Sequence, residues 1–197
     1  MRNRIISLCL FALILSHCSQ KESTENDSSE QYQIGLNILT QNSIMQYEME
    51  NDLVDGKIKV VNTDFDTIEL KDILSEKDKL IFHFSDQECS ECLAKQFEIL
   101  CELQDSIGID NAIILSTSKS LRQLSVVYRQ NKLKFKLYQI PDYKYFTSKQ
   151  KDLNRPFYFL SSRDCILHNV HIPDKSMVPL TRIYLRTIGL RLAAKPM

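Results

Sequence analysis

The chain has 197 residues, with 25 lysines and arginines balanced by 25 aspartates and glutamates, and 43% of its residues are hydrophobic. That length supports one ordinary domain with its own core. The even charge excludes the concentrated basic face that nucleic-acid binding requires, so no nucleic-acid partner is expected. At the N-terminus Met1 to Arg4 is basic, residues 5–15 form an apolar run, and a polar stretch follows from Ser19. Such a run is too short to span a bilayer, which takes about 20 residues, so residues 1–17 read as a secretory signal. Its removal takes Arg2 and Arg4 and leaves a slightly acidic mature chain, 23 basic against 25 acidic residues.

The apolar run ends in Leu15-Ser16-His17-Cys18, which resembles a bacterial lipobox, with a leucine three residues before the cysteine. The resemblance implies cleavage before Cys18 and a lipid on that residue. The membrane is then a partner, and the chain sits in the cell envelope, facing the periplasm or the cell surface. Residues 18–31, beyond Cys18, are polar or charged, mostly Ser, Glu and Gln, without an apolar period, and read as a flexible, solvated tether. Residues 32–197 are the domain. Its first part, residues 32–50, has mixed apolar spacing that suits either a strand or a short helix.

Asp55-Gly56 is a turn signal, after which residues 57–61 alternate as a strand and residues 67–70 answer them, predicting an N-terminal hairpin. Residues 80–84, Leu-Ile-Phe-His-Phe, are short, apolar and flanked by polar residues, and predict a buried strand central in a sheet. From Cys89 onward Leu93, Phe97, Leu100 and Leu103 recur at helical spacing until Gly108. Residues 111–115 predict a second buried strand. Ser120 and Gln123 form a capping box for a helix with Leu121, Leu124, Val127 and Tyr128. Residues 133–140 alternate again until Pro141, and the stretch to Asn154 is polar and aromatic without period. After Arg155-Pro156, residues 157–160 and 165–170 flank a turn-like Ser161-Ser-Arg-Asp164 as a second hairpin. A last helix follows Pro173, with Met177, Leu180, Ile183, Tyr184 and Ile188 expected on its buried face and Arg182 and Arg186 on another. Strands alternating with helices imply parallel pairing with right-handed crossovers, and the late hairpin adds antiparallel strands at one edge.

Once Cys9 and Cys18 are assigned to export, Cys89, Cys92, Cys101 and Cys165 remain. Cys89-Ser-Glu-Cys92 places two thiols three residues apart where a helix begins. The helix N-terminus stabilises a thiolate on the first, and the second is within disulfide reach. Export puts the pair where disulfides persist, yet so short a bridge adds little stability, which favours a redox role over a structural one. The spacing also suits half of a metal site with His83, His168 or His171, although no second close ligand pair is present. Cys101 lies nine residues past Cys92, about 900° of helix, and faces away from it. It and Cys165 read as small buried hydrophobes, and His168 and His171 as surface or strand residues.

This order, with Cys-x-x-Cys opening the first helix and an X-Pro step opening the late hairpin, resembles the thioredoxin superfamily, most closely its TlpA-like branch of exported thiol-disulfide oxidoreductases. The match runs over residues 57–192, with Phe84 five residues before Cys89 and Pro156 where the family has a cis-proline beside the dithiol. Glu88 stands where the family usually has Trp, Ser90-Glu91 fills a loop that often holds Pro, and Arg155 replaces the Thr common in the TlpA-like branch. The resemblance implies an α/β fold, a central mixed sheet flanked by helices and carrying the N-terminal hairpin as an extension. It implies an enzyme without organic cofactor or metal, whose partners are cysteine-containing exported proteins and a thiol electron donor. A non-catalytic scaffold of the same fold is the alternative.

Within that frame Cys89 is the nucleophile and Cys92 the resolving thiol. Glu88 and Glu91 disfavour a thiolate nearby, which predicts a reducing couple. His83, six residues before Cys89, is either a proton acceptor for Cys92 or a packed strand residue. Arg155 and Pro156 would present backbone to a substrate strand, with the guanidinium offsetting the two glutamates; a trans proline at an edge-strand start is the plainer possibility.

Overall fold

The computed structural model describes residues 20–74, 76–85, 90–117, 120–141 and 155–194. Cys18, Cys89, Glu88 and the aperiodic stretch after Pro141 lie outside them. Two compact units divide at Ile44/Met45.

Helix α1, Gln20–Met49, runs through the first unit, and its last turn belongs to the second. The expected flexible tether is therefore helical from Gln20, and of the two forms open to residues 32–50 the helix is the one found. Residues 20–34 contain neither Gly nor Pro and carry three Glu and three Gln, which sustain a helix even without an apolar stripe.

The second unit is built on a mixed sheet that has seven strands among the described residues. In chain order these are β1 (Lys59–Asn62), β2 (Thr67–Glu69), β3 (Lys79–Phe84), β4 (Ala112–Ser116), β5 (Lys136–Gln139), β6 (Phe157–Ser161) and β7 (His168–His171). A short helix α2 (Leu70–Ile73) follows β2; α3 (Ser90–Ile107) joins β3 to β4; α4 (Leu121–Gln130) joins β4 to β5; and α5 (Val178–Ala193) ends the fold. The sheet order is β2-β1-β5-β4-β3-β6-β7. β3, β4 and β5 pair in parallel through the two helical crossovers, while β1, β2, β6 and β7 add antiparallel pairings. The N-terminal hairpin, the buried run at β3 and the late hairpin stand where the sequence patterns put them. β3 is interior, between β4 and β6, with β4 in the middle.

Alternation along β3 divides the core. Leu80, Phe82 and Phe84 turn to one face, where Phe97, Leu100, Leu103 and Ile107 of α3 and Leu185 and Ile188 of α5 cover them. Ile81 turns to the other, with Leu115, Phe157, Phe159, Val60, Leu70 and Met49. α3 ends at Gly108, whose φ of +87° is the left-handed conformation that glycine adopts without strain. The Ser120 hydroxyl accepts the backbone N–H of Gln123 at 3.3 Å, the N-terminal half of the expected cap of α4.

The buried face of α5 shares Ile188, and half-buried Tyr184, with the expected stripe but departs from it elsewhere. Thr181, Leu185, Ile188 and Gly189 are buried, whereas Leu180 and Ile183 face outward at 45% and 59% exposure. The helix is apolar on two sides, so its period alone does not choose. Packing does: Gly189 faces the end of α3, where the position of a Cβ lies in ordinary contact, 3.7 Å from Cα of Ile107 and 3.5 Å from the Ser106 carbonyl oxygen.

Candidate active site

β3 ends at Phe84, and α3 begins at Ser90 on the far side of a short connection that includes Cys89. Cys92 is the third residue of α3, half-buried, in the first turn. Glu91 beside it is exposed, and its carboxylate stands favourably at the helix N-terminus, where it adds negative charge close to the thiol pair. The register of β3 against β6 pairs His83 with Phe157, so Phe84 and Pro156 are the next positions outward at the same end of the sheet. The fold thus brings Cys92 and Pro156 to one edge. Arg155 is exposed there and Pro156 is buried.

No peptide bond is cis among the described residues, that between Arg155 and Pro156 included. The cis geometry that the resemblance implied is corrected to trans: Pro156 leads straight into β6 as an extended strand start, where its ring and fixed φ fit without an isomer change.

His83 is 4% exposed and lies on the face opposite Phe82 and α3, with its ring 4.9 Å from that of Phe157. Burial pushes its pKa down to about 3. An imidazole so reluctant to hold a proton is a feeble base at neutral pH, which favours the packed-strand reading over the proton acceptor. Cys101 is half-buried against the α3 face of the core and receives a weak hydrogen bond from the Gln104 amide at 3.7 Å. Cys165 is buried, with its thiol pKa pushed up chiefly by burial.

Between α3, β6, β7 and α5 lies a buried polar cluster that the sequence patterns did not announce. The Tyr158 hydroxyl donates to Oε1 of Gln96 at 3.1 Å. Nε2 of His171 lies 3.1 Å from Oγ1 of Thr181, and the His171 ring stacks on Tyr184 at 4.6 Å. The Tyr184 hydroxyl donates to the Asn169 carbonyl at 2.7 Å. The available signal was Gln96 itself, a polar residue on the apolar stripe of α3, four residues from Cys92 and four from Leu100. His168 stands 3.9 Å from a Glu50 carboxylate. Among the described residues no three His, Cys, Asp or Glu side chains gather as a metal site would require.

Burial also holds His171 down, to about 4. Because the folded pKa values of His83 and His171 are below the unfolded value near 6.5, the stability they contribute is full above pH 6.5. It is lost as pH falls toward about 4 for His171 and about 3 for His83. For His171 that amounts to about 3 kcal/mol at ~1.4 kcal/mol per pKa unit. Urea unfolding at pH 7 and pH 4.5 should show wild-type stability dropping across this window and a His171→Gln variant dropping less; parallel losses would count against the assignment.

No family model and no curated protein matches the chain. Solved structures do. Peroxidoxin BcpB from Mycobacterium tuberculosis is similar at a TM-score of 0.50 and 13% identity, over 75% of this chain and 99% of that one. A candidate thiol:disulfide interchange protein DsbE from Chlorobium tepidum matches at 0.50 and 10% identity, over 72% and 99%. A candidate electron transfer protein from Aquifex aeolicus VF5 matches at 0.50 and 11%, over 73% and 96%. Fold and site together define the class: the chain has a thioredoxin-like α/β fold, with a Cys-x-x-Cys where the first crossover helix begins. The solved structures that share this fold include proteins named for peroxidoxin and thiol:disulfide interchange.

Proposed function

We propose that the protein is a thiol-disulfide oxidoreductase of the bacterial cell envelope, held to the membrane by lipid on Cys18 and working in the reducing direction. One observation carries the reading: Cys92 occupies the first turn of α3 at the end of the sheet shared with Pro156, in a fold of thioredoxin type. The Cys89 thiolate attacks a substrate disulfide, forming a mixed disulfide and releasing one substrate sulfur as thiolate. The Cys92 thiolate then attacks the Cys89 sulfur; the Cys89–Cys92 bond forms, the bond to substrate breaks, and the second substrate sulfur leaves with the electron pair. The substrate is reduced by two electrons and the pair is oxidised, to be reset by a thiol donor.

Several features support the details. The helix N-terminus favours a thiolate, while Glu88 and Glu91 oppose one, a balance that makes the dithiol less acidic and the couple more reducing. Arg155, exposed at the same end of the sheet, offsets that charge for an incoming substrate strand, with Pro156 buried beneath it at the start of β6. His83 supports the strand beneath as a neutral ring. The envelope address rests on the N-terminal pattern ending at Cys18; no described helix is long and apolar enough to cross a membrane.

The test is reduction of insulin by the purified chain with dithiothreitol as donor. Wild type should precipitate insulin well above the uncatalysed rate, and Cys89→Ser should fall to that background. Equal activity in both would remove Cys89 as the nucleophile.

A further inference from the structure

α3 returns the chain from β3 to a parallel β4, so it runs opposite to β3. β6 is antiparallel to β3, hence α3 and β6 run in the same direction. On α3, Cys92 and Gln96 share one face, four residues and about 6 Å apart. On the extended chain entering β6, Pro156 and Tyr158 share one face, two residues and about 6.7 Å apart. The hydrogen bond from Tyr158 to Gln96 is a rung between these two tracks, and one step back along them leads to Cys92 on α3 and to Pro156 on the strand.

We propose that the Tyr158–Gln96 hydrogen bond is the positioning contact of the site, fixing Cys92 beside Pro156 for the step in which it resolves the mixed disulfide. The proposal rests on the reading of Cys89 and Cys92 as the redox pair. Both partners are held for the task. Gln96 is 3% exposed and Tyr158 is fully buried, with its ring stacked 4.5 Å from that of Phe82. Helical side chains lean toward the N-terminus, so the Gln96 amide lies over the turn that carries Cys92. Burial keeps the phenol protonated, its pKa well above the ordinary value, and so a donor at any working pH. Resolution requires the Cys92 sulfur in line with the mixed disulfide, and a small misplacement there slows the step.

The experiment is single-turnover exchange of the full chain with a peptide disulfide, following formation of the mixed disulfide and release of the second peptide thiol separately. Tyr158→Phe and Gln96→Leu should each slow release between about two- and tenfold, the factor one net hydrogen bond is worth, and leave the first attack by Cys89 unchanged. The double variant makes both partners apolar, so its urea midpoint should move back toward wild type while release stays slow. Unchanged release in both single variants would overturn the proposal, as would release that recovers together with stability in the double variant. If wild type forms no mixed disulfide at all, the redox reading falls and the proposal with it, an outcome plainly different from wild-type turnover with indifferent Tyr158 and Gln96 variants.

Discussion

Replacing Cys92 by Ser is expected to stop the protein halfway through its reaction, leaving it covalently joined to its substrate. Cys89 can still attack a disulfide, but without the second thiol nothing displaces the partner from the Cys89 sulfur except outside thiols, which act at bulk concentration. An intramolecular thiol three residues away in sequence acts at an effective concentration orders of magnitude higher, so the mixed disulfide should persist rather than pass fleetingly. Non-reducing electrophoresis of envelope extracts should then show Cys92→Ser chains in higher-mass bands that dithiothreitol collapses, with Cys89→Ser and the double variant free of them. Mass spectrometry of those bands identifies the substrates. Bands that persist without Cys89 would show that another cysteine makes the link; Cys165 is buried, which sets it apart from a site that must meet a partner.

The second large effect concerns the core beneath the site. Phe82 is 1% exposed, stacked on Tyr158 at 4.5 Å and meeting Phe97 edge-on at 6.1 Å, so it joins β3, β6 and α3 at one point. Phe82→Ala removes that junction and leaves a cavity that three elements cannot all collapse into, at a cost of about 3–5 kcal/mol. For a chain of this size the melting temperature should drop by roughly 10 °C. Ile183→Ala, on the outward side of α5 at 59% exposure, should stay within about 0.5 kcal/mol of wild type. Equal losses in the two variants would mean that the assigned faces of the core are wrong.

That contrast also marks what the sequence makes legible. β3 could be read because a five-residue, largely apolar run flanked by polar residues has few other homes, and α3 because its stripe has one clean period ending at a glycine. α5 could be read only in part, at Ile188, since Leu180 and Ile183 extend that stripe as well as Leu185 does. The choice between them is made by tertiary contact, through Gly189 against Ile107 and through buried Thr181 against His171. The first part of α1 was missed because residues 20–31 have no apolar face, and only the absence of Gly and Pro there hinted at a helix; a helix over residues 32–50 was one of the two forms the sequence allowed. At the site, the thiol pair and Pro156 were visible as motifs. The isomer before Pro156 was left open between the cis form that the resemblance suggested and the plainer trans form, because a proline permits either, and trans is the one found. Tyr158 and Gln96 were hidden for a simpler reason: each reads as an ordinary strand or helix residue until the sheet order sets α3 alongside β6.

The central claim is that Cys89 and Cys92 form one two-electron couple. Equilibrating the purified chain in glutathione buffers of graded ratio, quenching with acid and counting alkylated thiols measures this directly. The account predicts that the two thiols are lost together in a single transition, with Cys101 and Cys165 unaffected. The midpoint should lie nearer the thioredoxin value of about −270 mV than the DsbA value of about −120 mV. Cysteines 89 and 92 that stay alkylatable across the whole range, or that oxidise independently of each other, would contradict it.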